Sequence, residues 1–266
     1  MAGPILAADS VVLAVAIPEA VAPPVAGRCG MDKQLDQLVE KLQKAFGERL
    51  VSVVLYGSAA AGDHHAGYSD LNILCVLTEL TPSELAVAAA PFRWWREQGS
   101  PAPLLLTEHE LATSADCFAI EFHDMQSHHR LLFGKDVIPA LAVENTFYRA
   151  QVEHDLRAKL LRLRQKACGM MTDQNLLRRL LLDSVSTFCV LFRHALLLHG
   201  VEAPPQKREV VRLAAERLGI DPAPFAKLLD VREALIKPKE MDPLTVLAAY
   251  LRAIDTAIDA VDRLEK

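Results

Sequence analysis

Hydrophobic and polar positions along this chain alternate with three different periods. Leu35, Leu38, Val39, Leu42 and Phe46 recur at helical spacing, with Lys, Gln, Asp and Glu between them. That pattern predicts an amphipathic helix from about Asp32 to Gly47. Leu50 to Tyr56 is short, apolar and β-branched, the composition of a buried strand. A second such run spans Leu71 to Leu77, and Pro103 to Leu106 is a shorter one. Between them Thr81-Pro82-Ser83-Glu84 is a capping box with proline at the first helical position, so a helix should run from there toward Gln98. Phe118, Ile120 and Phe122 alternate with Ala119, Glu121 and His123, which predicts another strand.

From Glu144 onward the strand signals stop. Helical stretches are expected at about 145–168, 174–199, 206–218, 223–236 and 242–264, punctuated by Gly169, Gly200, Pro204-Pro205 and Asp242-Pro243. The order of elements predicts an α+β fold: a mixed sheet with flanking helices over 31–140, then an all-α bundle over 141–266. Residues 1–30 read differently. They are alanine-rich and apolar, yet the first basic residue is Arg28, and Asp9, Glu19 and four prolines interrupt them. A secretory signal needs positive charge ahead of its apolar run, and a membrane span needs about 20 uninterrupted apolar residues. The expectation is a disordered extension, or residues ahead of a start at Met31, with no membrane role.

Composition narrows the class. Hydrophobic residues make up 51% and charged residues 24% of the chain, enough to bury a core, so global disorder is excluded. Five scattered cysteines without Cys-x-x-Cys spacing argue against a zinc ribbon or disulfide framework and suit a reducing cytoplasm. The net charge of −5 is uneven: residues 31–140 hold 8 Lys/Arg against 15 Asp/Glu, whereas 141–266 hold 20 against 17. A protein that coats nucleic acid electrostatically is excluded, but a local basic face on the second half is not.

The chemistry-bearing segment is VSVVLYGSAAAGDHHAGYSDLNILCVL, residues 51–77. A strand delivers Gly57-Ser58 at its end, where a residue without Cβ lets the backbone approach a phosphate closely. Ser58 and the amides after it can donate to phosphate oxygens. Strand alternation puts Asp70 and Asn72 on one face, two residues apart and able to share a metal ion.

This segment resembles the signature of the nucleotidyltransferase superfamily of DNA polymerase β and the aminoglycoside nucleotidyltransferases. Tyr56-Gly57-Ser58, Gly62-Asp63 and Ser69-Asp70 match the form common in bacterial members. The order of sheet and helical bundle extends the likeness over 31–266. The resemblance implies a Mg²⁺-dependent transfer of a nucleoside monophosphate from an NTP, ATP favoured, to a hydroxyl, with release of pyrophosphate. A small-molecule acceptor is favoured over protein or RNA. Gly57, Ser58, Asp63 and Ser69 would bind the nucleotide. Asp70, Asn72 and a third residue would hold two magnesium ions. The third would be Glu121, or Asp124 in its place; on a strand, alternation turns Glu121 toward the motif and Asp124 away. Where the superfamily has its second motif carboxylate this chain has Asn72, whose amide oxygen brings no charge, so the second ion is held more weakly. An impaired nucleotide-binding or regulatory module is therefore the alternative.

Other features have plainer readings. His64-His65 and His128-His129 suit solvated loops better than a metal site. Trp94-Trp95 suits helix packing better than base stacking. The run Arg157, Lys159, Arg162, Arg164 and Lys166 reads as a solvated face, although in the resembled proteins such a helix borders the cleft; Lys207-Arg208 stand similarly. Arg193 and His199 have the spacing of HEPN ribonucleases, which partner nucleotidyltransferases in toxin–antitoxin systems. A helix C-cap explains His199 more simply.

Overall fold

The fold comes from a computed structural model that describes residues 28–61, 71–143 and 145–264. The first apolar stripe forms helix α1 (Arg28–Phe46), which starts three residues inside the stretch expected to be an extension. The rest of that stretch, residues 1–27, lies outside the described residues, as do Asp63, His64, His65, Ser69, Asp70 and Glu144.

Strand β1 (Leu50–Tyr56) lies between two antiparallel neighbours, β2 (Asn72–Leu77) and β4 (His129–Gly134). Strand β3 (Leu104–Thr107) joins β2 in parallel, so the order is β3-β2-β1-β4. A parallel pair needs a crossover. Helix α2 (Pro82–Glu97) provides it, begun by the expected capping box on Thr81 and Glu84. Side chains of β1 and β2 divide by parity. Val53, Leu55, Ile73, Cys75 and Leu77 pack under α1 and α2 with Leu38, Leu42 and Trp95. Val54, Leu74 and Val76 face the other way, against Leu111, Phe122 and Met125. Trp95 is fully buried and Lys41 sits over the Trp94 ring, so the tryptophan pair closes the sheet-side packing as expected.

The second face of the sheet holds two further helices, α3 (Glu108–Thr113) and α4 (Ala119–Ser127). Helix α3 opens on a capping box formed by Thr107 and Glu110. Helix α4 corrects the strand expected at Phe118 to His123. Its apolar residues serve two surfaces: Phe122 and Met125 pack on the sheet, while Ala119 and Ile120 pack with the C-terminal helices. Two apolar faces on one short helix imitate the alternation of a strand.

Helices α5 (Tyr148–Cys168), α6 (Gln174–Leu198), α7 (Lys207–Leu218), α8 (Ala223–Arg232) and α9 (Pro243–Asp262) follow the expected positions closely. Helix α6 is central. It is long and apolar enough to span a membrane, but 67% of that apolar window is buried inside the protein, against α5, α7, α8 and α9. Asp173 and Asp242 cap α6 and α9 by accepting from two backbone amides each.

Candidate active site

Strand β1 ends by delivering a turn. Gly57 has φ +78°, a conformation that side chains disfavour, and its carbonyl accepts from the amides of Ala60 and Ala61, both at 3.1 Å. Asn72 pairs with Tyr56 across the β1–β2 seam. A Cβ on residue 57 would stand 3.0 Å from Asn72 Nδ2, so the glycine also makes room for that amide.

The turn opens on a cavity of about 220 Å³. Gly57, Ser58 and Asn72 form its sheet side, and Glu121, Asp124 and His128 line it from α4 and the residue after it. Helices α5, α6 and α7 close it with Asp155, Lys159, Arg193 and Lys207 among others. The expected residues that lie within the described range therefore converge on one space, made by the ends of strands and the sides of helices.

The two candidate carboxylates of α4 differ sharply. Residues 121 and 124 are three apart on a helix and share a face, so strand parity does not separate them. Asp124 forms an ion pair with Arg193 and lies 2.9 Å from His194 Nε2. Tyr148 Oη and His194 Nδ1 are 2.6 Å apart, which extends this buried cluster to α5. Burial opposes the Asp124 charge, but His194 and Arg193 outweigh it and hold the carboxyl below the usual aspartate range. Glu121 makes no side-chain hydrogen bond or ion pair with another residue among the described residues. Burial pushes its carboxyl upward, with further repulsion from Asp155 and Asp124, against partial relief from its own backbone amide and His194. The neighbouring Tyr56 phenol is raised to about 12, by burial first and by Glu121 next.

Magnesium prefers oxygen donors, charged ones above all. Glu121 and the Asn72 amide supply such oxygens at this cavity, and Asp124 is already engaged by Arg193 and His194. Among the described residues no group of three His, Cys, Asp or Glu could hold a metal. The described donors thus suit magnesium in kind and fall short of a full set in number.

No protein-family model matches the chain, and no curated protein matches it. Among solved structures it superposes on spectinomycin adenyltransferase AAD(9) from Enterococcus faecialis, determined with ATP and spectinomycin. The TM-score is 0.54 at 13% identity, over 87% of this chain and 99% of that one. The chain has the nucleotidyltransferase fold. At that identity the likeness is one of architecture.

Within this nucleotidyltransferase fold the remaining sequence expectations sort clearly. The pair His128-His129 is split. His129 Nδ1 lies 2.8 Å from the Met125 carbonyl and its Nε2 3.2 Å from Asp136, whereas His128 lines the cavity. Of the basic run on α5, Lys159 reaches the cavity, while Arg157 and Arg164 pair with Glu153 and Asp255. Arg208 pairs with Asp230 and Glu233; its neighbour Lys207 lines the cavity. Arg193 and His199 do not converge: Arg193 meets Asp124, and His199 Nδ1 lies 2.8 Å from the Ala195 carbonyl at the helix end. Sequence reasoning overlooked Tyr148 and His194, because their partnership joins residues 46 positions apart and leaves no local signal.

Proposed function

We propose that the protein is a Mg²⁺-dependent nucleotidyltransferase. It would move a nucleoside monophosphate from an NTP, ATP in preference, to the hydroxyl of a small-molecule acceptor. A bond forms between the acceptor oxygen and the α-phosphorus, the hydroxyl proton passes to solvent, the bond from that phosphorus to the bridging oxygen breaks, and pyrophosphate leaves. The observation that carries this reading is the convergence of the Gly57–Ser58 turn, Asn72 and the half-buried Glu121 on one cavity. In this reading the cavity marks the border of a nucleotidyltransferase domain over 31–140 and a helical domain over 141–266.

The roles follow from chemistry. Gly57 and Ser58 bind phosphate through backbone amides and the serine hydroxyl, with Asp63 and Ser69 completing the nucleotide loop. Lys159, which has no ion-pair partner among the described residues, sets a positive charge across the cavity from them. Glu121, Asn72 and Asp70 hold magnesium, which when bound neutralises the phosphates and orients the α-phosphorus. The fold's likeness to an enzyme solved with ATP and spectinomycin supports the choice of ATP and of a small acceptor.

The test is calorimetric titration with non-hydrolysable ATP and GTP analogues, with and without Mg²⁺. Binding that requires Mg²⁺ and disappears in Asp70→Ala is the expected result. Failure of both analogues to bind would overturn the reading. The neutral Asn72 favours a second reading, an impaired nucleotide-binding module. A gain of Mg²⁺-dependent transfer in Asn72→Asp would mark that module as a damaged enzyme.

A further inference from the structure

The antiparallel register of β1 and β4 runs Val54↔Leu131, Leu55↔Arg130 and Tyr56↔His129. One step further along each strand brings Gly57 beside His128. On the other flank, Tyr56↔Asn72 brings the same glycine beside the start of β2. The Gly57 turn is therefore bordered by Asn72 on one side and by His128 on the other.

Of the described residues that line the cavity, His128 alone has a side-chain nitrogen or oxygen that is fully buried without a hydrogen-bond partner. Neither ring nitrogen has a hydrogen-bond partner among the described residues, and Nδ1 is buried in that state. An unsatisfied buried imidazole nitrogen is destabilising, and a native protein tolerates one mainly where a ligand completes it. The adjacent His129 is a built-in control: both of its ring nitrogens lie within hydrogen-bonding distance of protein acceptors. The surroundings favour an anion. Burial first, and the charge of Arg193 next, lower the affinity of the His128 ring for a proton, with Asp124 acting in the opposite sense. The ring is thus a neutral donor beside a guanidinium and the Gly57–Ser58 turn.

We infer that His128 binds the phosphate chain of the nucleotide, one ring N–H donating to a phosphate oxygen at the β4 flank of the Gly57–Ser58 turn. The inference rests on the proposed function and adds a residue to it. It also gives the turn a phosphate donor on the side opposite Asn72, the residue that would hold magnesium.

The experiment compares the full-length protein with His128→Leu, His128→Asn and His128→Gln. Each is titrated with Mg²⁺ and the non-hydrolysable ATP analogue, and with adenosine by competition. Asparagine sets an amide near the position of Nδ1 and glutamine near that of Nε2. The expected result is at least a tenfold loss of ATP-analogue affinity in the leucine variant, the usual effect of removing a hydrogen bond to a charged group. Adenosine affinity should stay within about twofold, since a ligand without phosphates makes no such bond. One of the two amide variants should recover most of the loss, and should do so even if the leucine variant fails to fold. Equal weakening of ATP analogue and adenosine, or no weakening of either, would overturn the inference while leaving the functional reading intact. A parent protein that binds no nucleotide would overturn both.

Discussion

Burial works against a charge on Glu121 and raises its pKa, and its own backbone amide and His194 offset that only in part. A carboxyl whose folded pKa lies above its unfolded value is penalised once both states are ionised, and the penalty vanishes below the unfolded value of about 4.3. Glu121→Gln should therefore raise the melting temperature at pH 7, with the advantage over the parent fading as pH falls toward about 4.3 and absent below it. The same variant should lose more than about a hundredfold of any transfer activity, beyond the range that outer-shell changes at metal sites cause. Thermal melts across pH, paired with an assay of pyrophosphate release, check both halves. Gly57, Ser58 and Asn72 were legible in the sequence because the motif is local, a strand followed by a turn and a second strand. Glu121 was legible as a candidate, but through a strand it does not occupy. His128 was not, since its significance lies in pairing with a turn some 70 residues earlier.

At the scale of elements the capping boxes and helical stripes were readable, because each is encoded within one turn or one face. Helix α4 was not, because its apolar residues answer to two surfaces at once. The same helix is tied to α6 by Asp124, Arg193 and His194. Both members of the Asp124–Arg193 pair are less than a fifth exposed. Removing one partner of such a pair leaves the other charge uncompensated, so Asp124→Asn should destabilise the protein by about 3 kcal/mol. Asp124 has a depressed folded pKa. Its contribution is present above the unfolded value of about 3.9 and is lost as pH falls through the folded value. Urea titrations should accordingly show the parent and Asp124→Asn furthest apart at neutral pH and converging in acid. A double-mutant cycle with Arg193→Leu should recover part of the loss, which is how coupling between the two would appear.

For the whole molecule, the succession of sheet and bundle was readable from where strand signals end. Their mutual placement was not, since it depends on long-range contacts such as Arg193 with Asp124 and Tyr148 with His194. The chain has two tryptophans, and both sit on α2, over the sheet. Far-ultraviolet circular dichroism, by contrast, is dominated by the long helices α5, α6 and α9. Because α4 contributes to the packing on both sides, the two signals should be lost together in denaturant, as a single transition. Separate midpoints for fluorescence and dichroism would show instead that the two parts unfold independently.

Helix α4 also has a bearing on how this protein can drift over generations. Of its nine residues only Ser127 is exposed; the others meet the sheet, the bundle or the cavity. A substitution there is screened twice, once by each neighbouring core, and at Glu121 or Asp124 a third time by the cavity. Most surface helices offer selection a free outer face on which neutral changes accumulate. This one offers almost none, so related chains should diverge around α4 well before they diverge within it.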